Sequence, residues 1–151
     1  MRQIKSRGKD IETGEWLYGD LVQPIGQNLR IYVQDVKTEG VAAFFAYDVE
    51  EDTVGQFIGL LDKNGDEIYE GDIVRNKEIG GYGYEYLGVV RYYEEDCRFG
   101  IDTTTAHTVS NRILFSVGKN SINDGYCTIE YTNEYEVLGN IYDNPEILKN
   151  K

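Results

Sequence analysis

Leu29-Arg30-Ile31-Tyr32-Val33-Gln34 decides the class of this chain: apolar residues at 29, 31 and 33 alternate with wetter ones at 30, 32 and 34. A period of two sorts side chains onto the two faces of an extended strand, whereas a helix needs apolar positions three and four apart. The alternation returns at Cys97, Phe99 and Ile101 against Arg98 and Asp102, and at Cys127, Ile129 and Tyr131 against Thr128 and Glu130. β-branched and aromatic runs predict further strands near 2–7, 15–22, 41–48, 54–60, 72–76, 84–93, 112–118 and 135–142. The 17 glycines spread among 151 residues supply turns between them. The chain reads as mainly β.

Two turns stand out. Asp62-Lys63-Asn64-Gly65 has the form of a type I turn closed by a left-handed glycine, and Glu12-Thr13-Gly14 does the same earlier. The strings that follow are also alike, Gly14-Glu15-Trp16-Leu17-Tyr18-Gly19-Asp20-Leu21-Val22 against Gly65-Asp66-Glu67-Ile68-Tyr69-Glu70-Gly71-Asp72-Ile73-Val74. A related backbone path through both would make them repeats; convergent turn chemistry explains them otherwise, and is the simpler account. At the C-terminus Asn144, Pro145 and Glu146 predict a helical turn or two, with Asn144 as the cap, Ile147 and Leu148 docking on the sheet.

A length of 151 residues suits a single domain over 1–151, with possible lobes 1–52 and 53–151 divided at the acidic stretch 49–53. Hydrophobic residues form 40% of the chain, enough for a core. Apolar runs such as 41–47 are far shorter than the ~20 residues that span a bilayer. The basic start lacks the apolar segment of a signal peptide, so the cytoplasm is the expected location, with Cys97 and Cys127 as reduced, buried thiols. The net charge of −12, from 27 acids and 15 bases, repels phosphate backbones and makes nucleic acid an unfavourable partner.

Three stretches resemble the YopX family of phage and prophage proteins. They are Met1-Arg2-Gln3-Ile4-Lys5-Ser6-Arg7-Gly8 with Trp16-Leu17-Tyr18-Gly19; Thr53-Val54-Gly55-Gln56-Phe57-Ile58-Gly59-Leu60 running on to Val74; and Tyr135 to Glu146. Ser6 stands where that family usually carries an aromatic residue. The resemblance implies a bacterial phage or prophage origin, a β-rich fold with a small barrel in the C-terminal part, and no catalytic residues to transfer. The Gly71-Asp72-Ile73-Val74 start, followed by Gly88-Val89-Val90-Arg91-Tyr92, is also a pattern of SH3-like barrels. The expected architecture is an N-terminal β-hairpin lobe, an SH3-like C-terminal barrel and a short final helical turn.

The inventory of reactive groups is thin. His107 is the lone histidine, and nothing flanking Cys97 or Cys127 resembles a nucleophile motif. Asp62, Asn64 and Asp66 have the alternate spacing of a calcium loop, but Glu67 and Ile73 occupy the positions that need glycine and glutamate. The cysteine and histidine spacing matches no closed zinc site. Ile79-Gly80-Gly81-Tyr82-Gly83-Tyr84 lacks the lysine and hydroxyl of a phosphate loop. No enzyme, cofactor or metal is therefore expected.

Tyr82, Tyr84 and Tyr86, interleaved with glycine, have the composition of a protein-binding loop. Arg2, Lys5, Arg7 and Lys9 form a basic N-terminal stripe, either a partner-binding patch complementary to acids on a second copy or an edge strand guarded by charge. The leading expectation is a non-enzymatic accessory protein that binds a host or phage protein or assembles with itself. The alternatives are a nucleic-acid-binding small barrel, an acidic mimic of DNA that occupies a host protein, and an enzyme of unrecognised type.

Overall fold

A computed structural model describes residues 3–35, 43–79, 84–103, 112–114 and 135–149. The described chain is mainly β and antiparallel, and its helical content is confined to short 3-10 turns. It divides into two compact units, 1–59 and 60–151, so the division falls beyond the acidic stretch, inside a strand.

The first unit is built from β1 (Ser6–Lys9), β2 (Trp16–Val22), β3 (Arg30–Asp35), β4 (Ala43–Asp48) and β5 (Gly55–Leu61), which runs past Gly59 into the second unit. Within this unit the strand order is β4-β3-β2-β1-β5. β2 pairs through its first half with β1 and through its second half with β3, which carries the sheet forward in a meander. Ile31, from the stretch that decided the class, is fully buried, and Gln34 on the opposite face is exposed. A Cβ on Gly8 would lie 3.1 Å from the Val49 Cβ and 3.3 Å from the Ile31 Cδ1, so the glycine leaves the gap those two side chains fill. β1 lies between β2 and β5, an interior strand rather than a charge-guarded edge.

In the second unit β6 (Glu67–Tyr69) follows β5 around the Asp62 turn, and a five-stranded sheet follows. Its strands are β7 (Asp72–Ile79), β8 (Tyr84–Tyr93), β9 (Arg98–Thr103), β10 (Arg112–Leu114) and β11 (Glu136–Asn140), in the order β10-β9-β8-β7-β11. The buried apolar residues of this unit include Ile68, Tyr69, Ile73, Val74, Val90 and Ile101. Gly88 pairs with Val74 on one side and Thr103 on the other. A Cβ there would lie 2.5 Å from both the Ile101 Cγ2 and the Asp102 carbonyl oxygen, so the approach of β8 to β9 requires glycine.

The two turns share their chemistry but not what comes after. Asp10 Oδ1 accepts from the Glu12 and Thr13 amides at 2.6 and 3.0 Å, and Asp62 Oδ1 accepts from the Asn64 and Asp66 amides at 2.7 and 3.0 Å. Both aspartates are buried, and both turns contain a glycine at positive φ, Gly14 and Gly65. Beyond the first turn β2 runs unbroken through Gly19-Asp20, whereas the second segment stops at Glu70-Gly71 with φ +81° at the glycine. Asp72 then accepts from the Tyr69 amide at 2.7 Å and closes this second turn. The likeness of the two strings is turn chemistry, not a repeat.

The Asp62 turn also fixes the last strand. Asp62 Oδ2 accepts from the Val137 amide at 3.1 Å, and the Lys63 amide donates to the Tyr135 carbonyl at 2.8 Å. Glu136, between those two residues, takes Arg75 at 2.5 Å and Lys63 at 3.0 Å. β11 ends at Asn140, whose Oδ1 accepts from the Tyr142 and Asp143 amides. Pro145–Leu148 is the expected helical turn, a single 3-10 turn. Asn144 stands at its cap position, but its side chain makes no capping bond and accepts instead from the Asn140 amide at 3.4 Å.

Candidate protein-interaction surface

β4 ends the sheet of the first unit, and its sequence Ala43-Phe44-Phe45-Ala46-Tyr47 carries no charge. Phe44, Phe45 and Tyr47 are 59%, 48% and 38% exposed. The register sets Ile31 opposite Tyr47 and Leu21, and Val33 opposite Phe45, so these residues share one face. That apolar face runs from fully buried Ile31 outward to half-exposed aromatics at the edge. Phe44 and Ala46 lie on the other face with Tyr32 and Gln34.

An edge strand presents unpaired backbone donors and acceptors to any extended segment, and chains usually guard such edges with lysine, proline or a bulge. β4 has none of these and pairs regularly with β3 from Arg30↔Asp48 to Asp35↔Ala43. At its C-terminal end Arg30 Nε donates to Asp48 Oδ1 at 2.6 Å, and Asn28 donates to Asp48 Oδ2 at 3.1 Å. The Arg30 bond, then the Asn28 bond, holds the Asp48 carboxyl below the ordinary carboxylate range, and the Arg30 guanidinium is raised in turn. The strand therefore ends in a neutral pair.

Beside it is a groove of about 650 Å³ lined by Ile11, Pro24, Ile25, Leu29 and Val49, with Glu50 and Glu51 among its lining residues. Among the described residues no group of three or more His, Cys, Asp or Glu is arranged to hold a metal ion. Also among them, no helix is long and apolar enough to cross a membrane.

The residues singled out from sequence fall in several places. Tyr84 and Tyr86 are in β8, opposite Ile79 and Asn76 of β7. Tyr82, Arg2, His107 and Cys127 lie outside the described residues. Lys5, Arg7 and Lys9 project toward the aromatics of β2: Lys5 sits 5.6 Å from the Tyr18 ring centre, Arg7 4.7 Å and Lys9 5.5 Å from that of Trp16. Arg7 is buried. These cation–π contacts join β1 to β2.

Cys97 departs from expectation. It is exposed rather than buried, because it follows the 3-10 turn Glu94–Asp96 in the left-handed conformation, with φ +51°, and its thiol reaches the Glu94 carbonyl at 3.4 Å. The β4 aromatics, by contrast, were legible as a strand but not as a surface, since nothing local marks a strand as an edge.

The model of the YopX protein family matches residues 5–149. The chain belongs to the YopX family. Protein EF1440 from Enterococcus faecalis, known from a crystal structure, is similar to this YopX-family chain over 98% of its length and 99% of its own, with a TM-score of 0.54 and 23% identity. At that identity the likeness is one of fold. No curated protein matches the chain.

Proposed function

We propose that this YopX-family protein is a phage or prophage accessory factor that acts in the bacterial cytoplasm by binding other polypeptides and has no catalysis of its own. The observation that carries the reading is the unguarded edge of β4, where Phe44, Phe45 and Tyr47 are exposed beside a backbone edge that no other described strand pairs. Addition of an extended strand satisfies such an edge: main-chain bonds give affinity and alternate side chains give selectivity. A net charge of −12 and the engagement of Arg7 by Trp16 favour protein over nucleic acid as the partner. In the second unit the order β10-β9-β8-β7-β11, with the last strand beside the first, supports an SH3-like barrel that serves as scaffold.

A photo-reactive phenylalanine analogue at position 44 tests the reading in host cells, with the same group at exposed Tyr92 as the control. The expected result is a polypeptide adduct from position 44 and none from 92. Adducts to nucleic acid, or none from position 44, would overturn it.

A further inference from the structure

We propose that the strand seated on β4 is the β4 of a second copy, paired antiparallel about a twofold axis through Phe45; this rests on the protein-binding reading above. A twofold axis normal to a sheet keeps each side chain on its own face, so it must pass through a residue position. Placed at Phe45, it sets Phe44 opposite Ala46 of the other copy, Ala43 opposite Tyr47, and Phe45 opposite itself. On both faces a large side chain then meets a small one, apart from the single aromatic pair on the axis. Moving the axis to Ala46 would set Phe44 against Asp48 and Phe45 against Tyr47. The Phe45 register is the one in which Ala43–Tyr47 is complementary to itself.

Charge favours the same occupant. Two chains of net charge −12 repel, and a segment without acids is where that repulsion opposes contact least. Ala43–Tyr47 is uncharged, and Asp48, the acid next to it, is already paired with Arg30 of its own chain at 2.6 Å.

The area sets the strength. With ~200 Å² per aromatic ring residue, the exposed fractions of Phe44, Phe45 and Tyr47 amount to roughly 300 Å² per copy. Both copies together supply at most roughly 600 Å² of aromatic surface, so even with the alanines and the backbone edge added the interface lies at or below the ~1,000 Å² at which a specific one begins. The association is therefore weak and concentration-dependent, with a dissociation constant on the order of micromolar or weaker.

Sedimentation velocity of the whole chain over about two decades of micromolar concentration reads this directly, with circular dichroism showing that each variant is folded. Wild type should pass from monomer to dimer. Phe45→Arg and Phe45→Glu should each stay monomeric, because like charges would face each other on the axis, and a one-to-one mixture should regain the dimer, because opposite charges then face. A wild type that stays monomeric throughout overturns the self-pairing and leaves protein binding to be decided by the position-44 adduct. Variants that still dimerise alone, or a mixture that does not, also overturn it.

Discussion

Asp62→Ala should destabilise the protein by about 3 kcal/mol, and the figure can be built bond by bond. The carboxylate accepts from three backbone amides, those of Asn64, Asp66 and Val137, and from the Asn64 side chain at 3.2 Å. Hydrogen bonds to a charged group contribute about 1.5–3 kcal/mol net when their donors are left without water. Asn64 and Asp66 are exposed, so water can replace their partner and each loss costs at the low end, ~0.5–1 kcal/mol. Val137 is half-buried in β11, and its amide loses most, ~1.5 kcal/mol or more. At roughly 2–4 °C per kcal/mol for a chain of this size, Tm should fall by about 6–12 °C. Asp62→Asn separates the two roles: one oxygen can keep the turn, while the new NH2 group faces the Val137 N–H. Its loss should be smaller, about 1–2 kcal/mol, and concentrated in faster hydrogen exchange at Val137. Thermal melts of both variants with amide exchange measure this. A Tm for Asp62→Ala within about 2 °C of wild type, or unchanged exchange at Val137 in either variant, would refute the reasoning.

Burial pushes the Asp62 carboxyl up, but the amides of Val137, Asp66 and Asn64 and the Asn64 side chain outweigh it, and the group lies below the ordinary carboxylate range. Its stabilising contribution is then complete above an unfolded-state value of about 4 and is lost as pH falls through the lower folded value, so Tm should drop below pH 4 and drop less steeply in Asp62→Asn. Gly88→Ala should cost about 1–3 kcal/mol in chemical denaturation, because its Cβ meets the Asp102 backbone at 2.5 Å; a neutral effect would show that β8 and β9 can part without penalty. Arg7→Ala should shift the emission of Trp16, the sole tryptophan, and lower stability by roughly 0.5–2 kcal/mol; an unchanged spectrum would count against their stacking. Cys97 should react with a thiol reagent in the folded protein at the rate of an exposed cysteine, and protection until unfolding would contradict its placement.

The alternation at Leu29–Gln34 and the glycine-closed turns made the β class and most strand positions readable, because both properties are local: side chains alternate within one strand, and an aspartate caps amides two to four residues away. The same locality explains why two turns look alike while their sequels differ: Gly19-Asp20 stays within β2, whereas Gly71 turns just before Asp72 opens β7. Neighbour order, by contrast, depends on which distant strands pair. Only the tertiary structure could place β1 inside the sheet and β4 at its edge, expose Cys97 on a left-handed turn, and join Asp62 to Val137 across 75 residues. The binding surface belongs to that second category: Phe44 and Phe45 read as ordinary strand residues until the fold leaves nothing beside them in the described sheet.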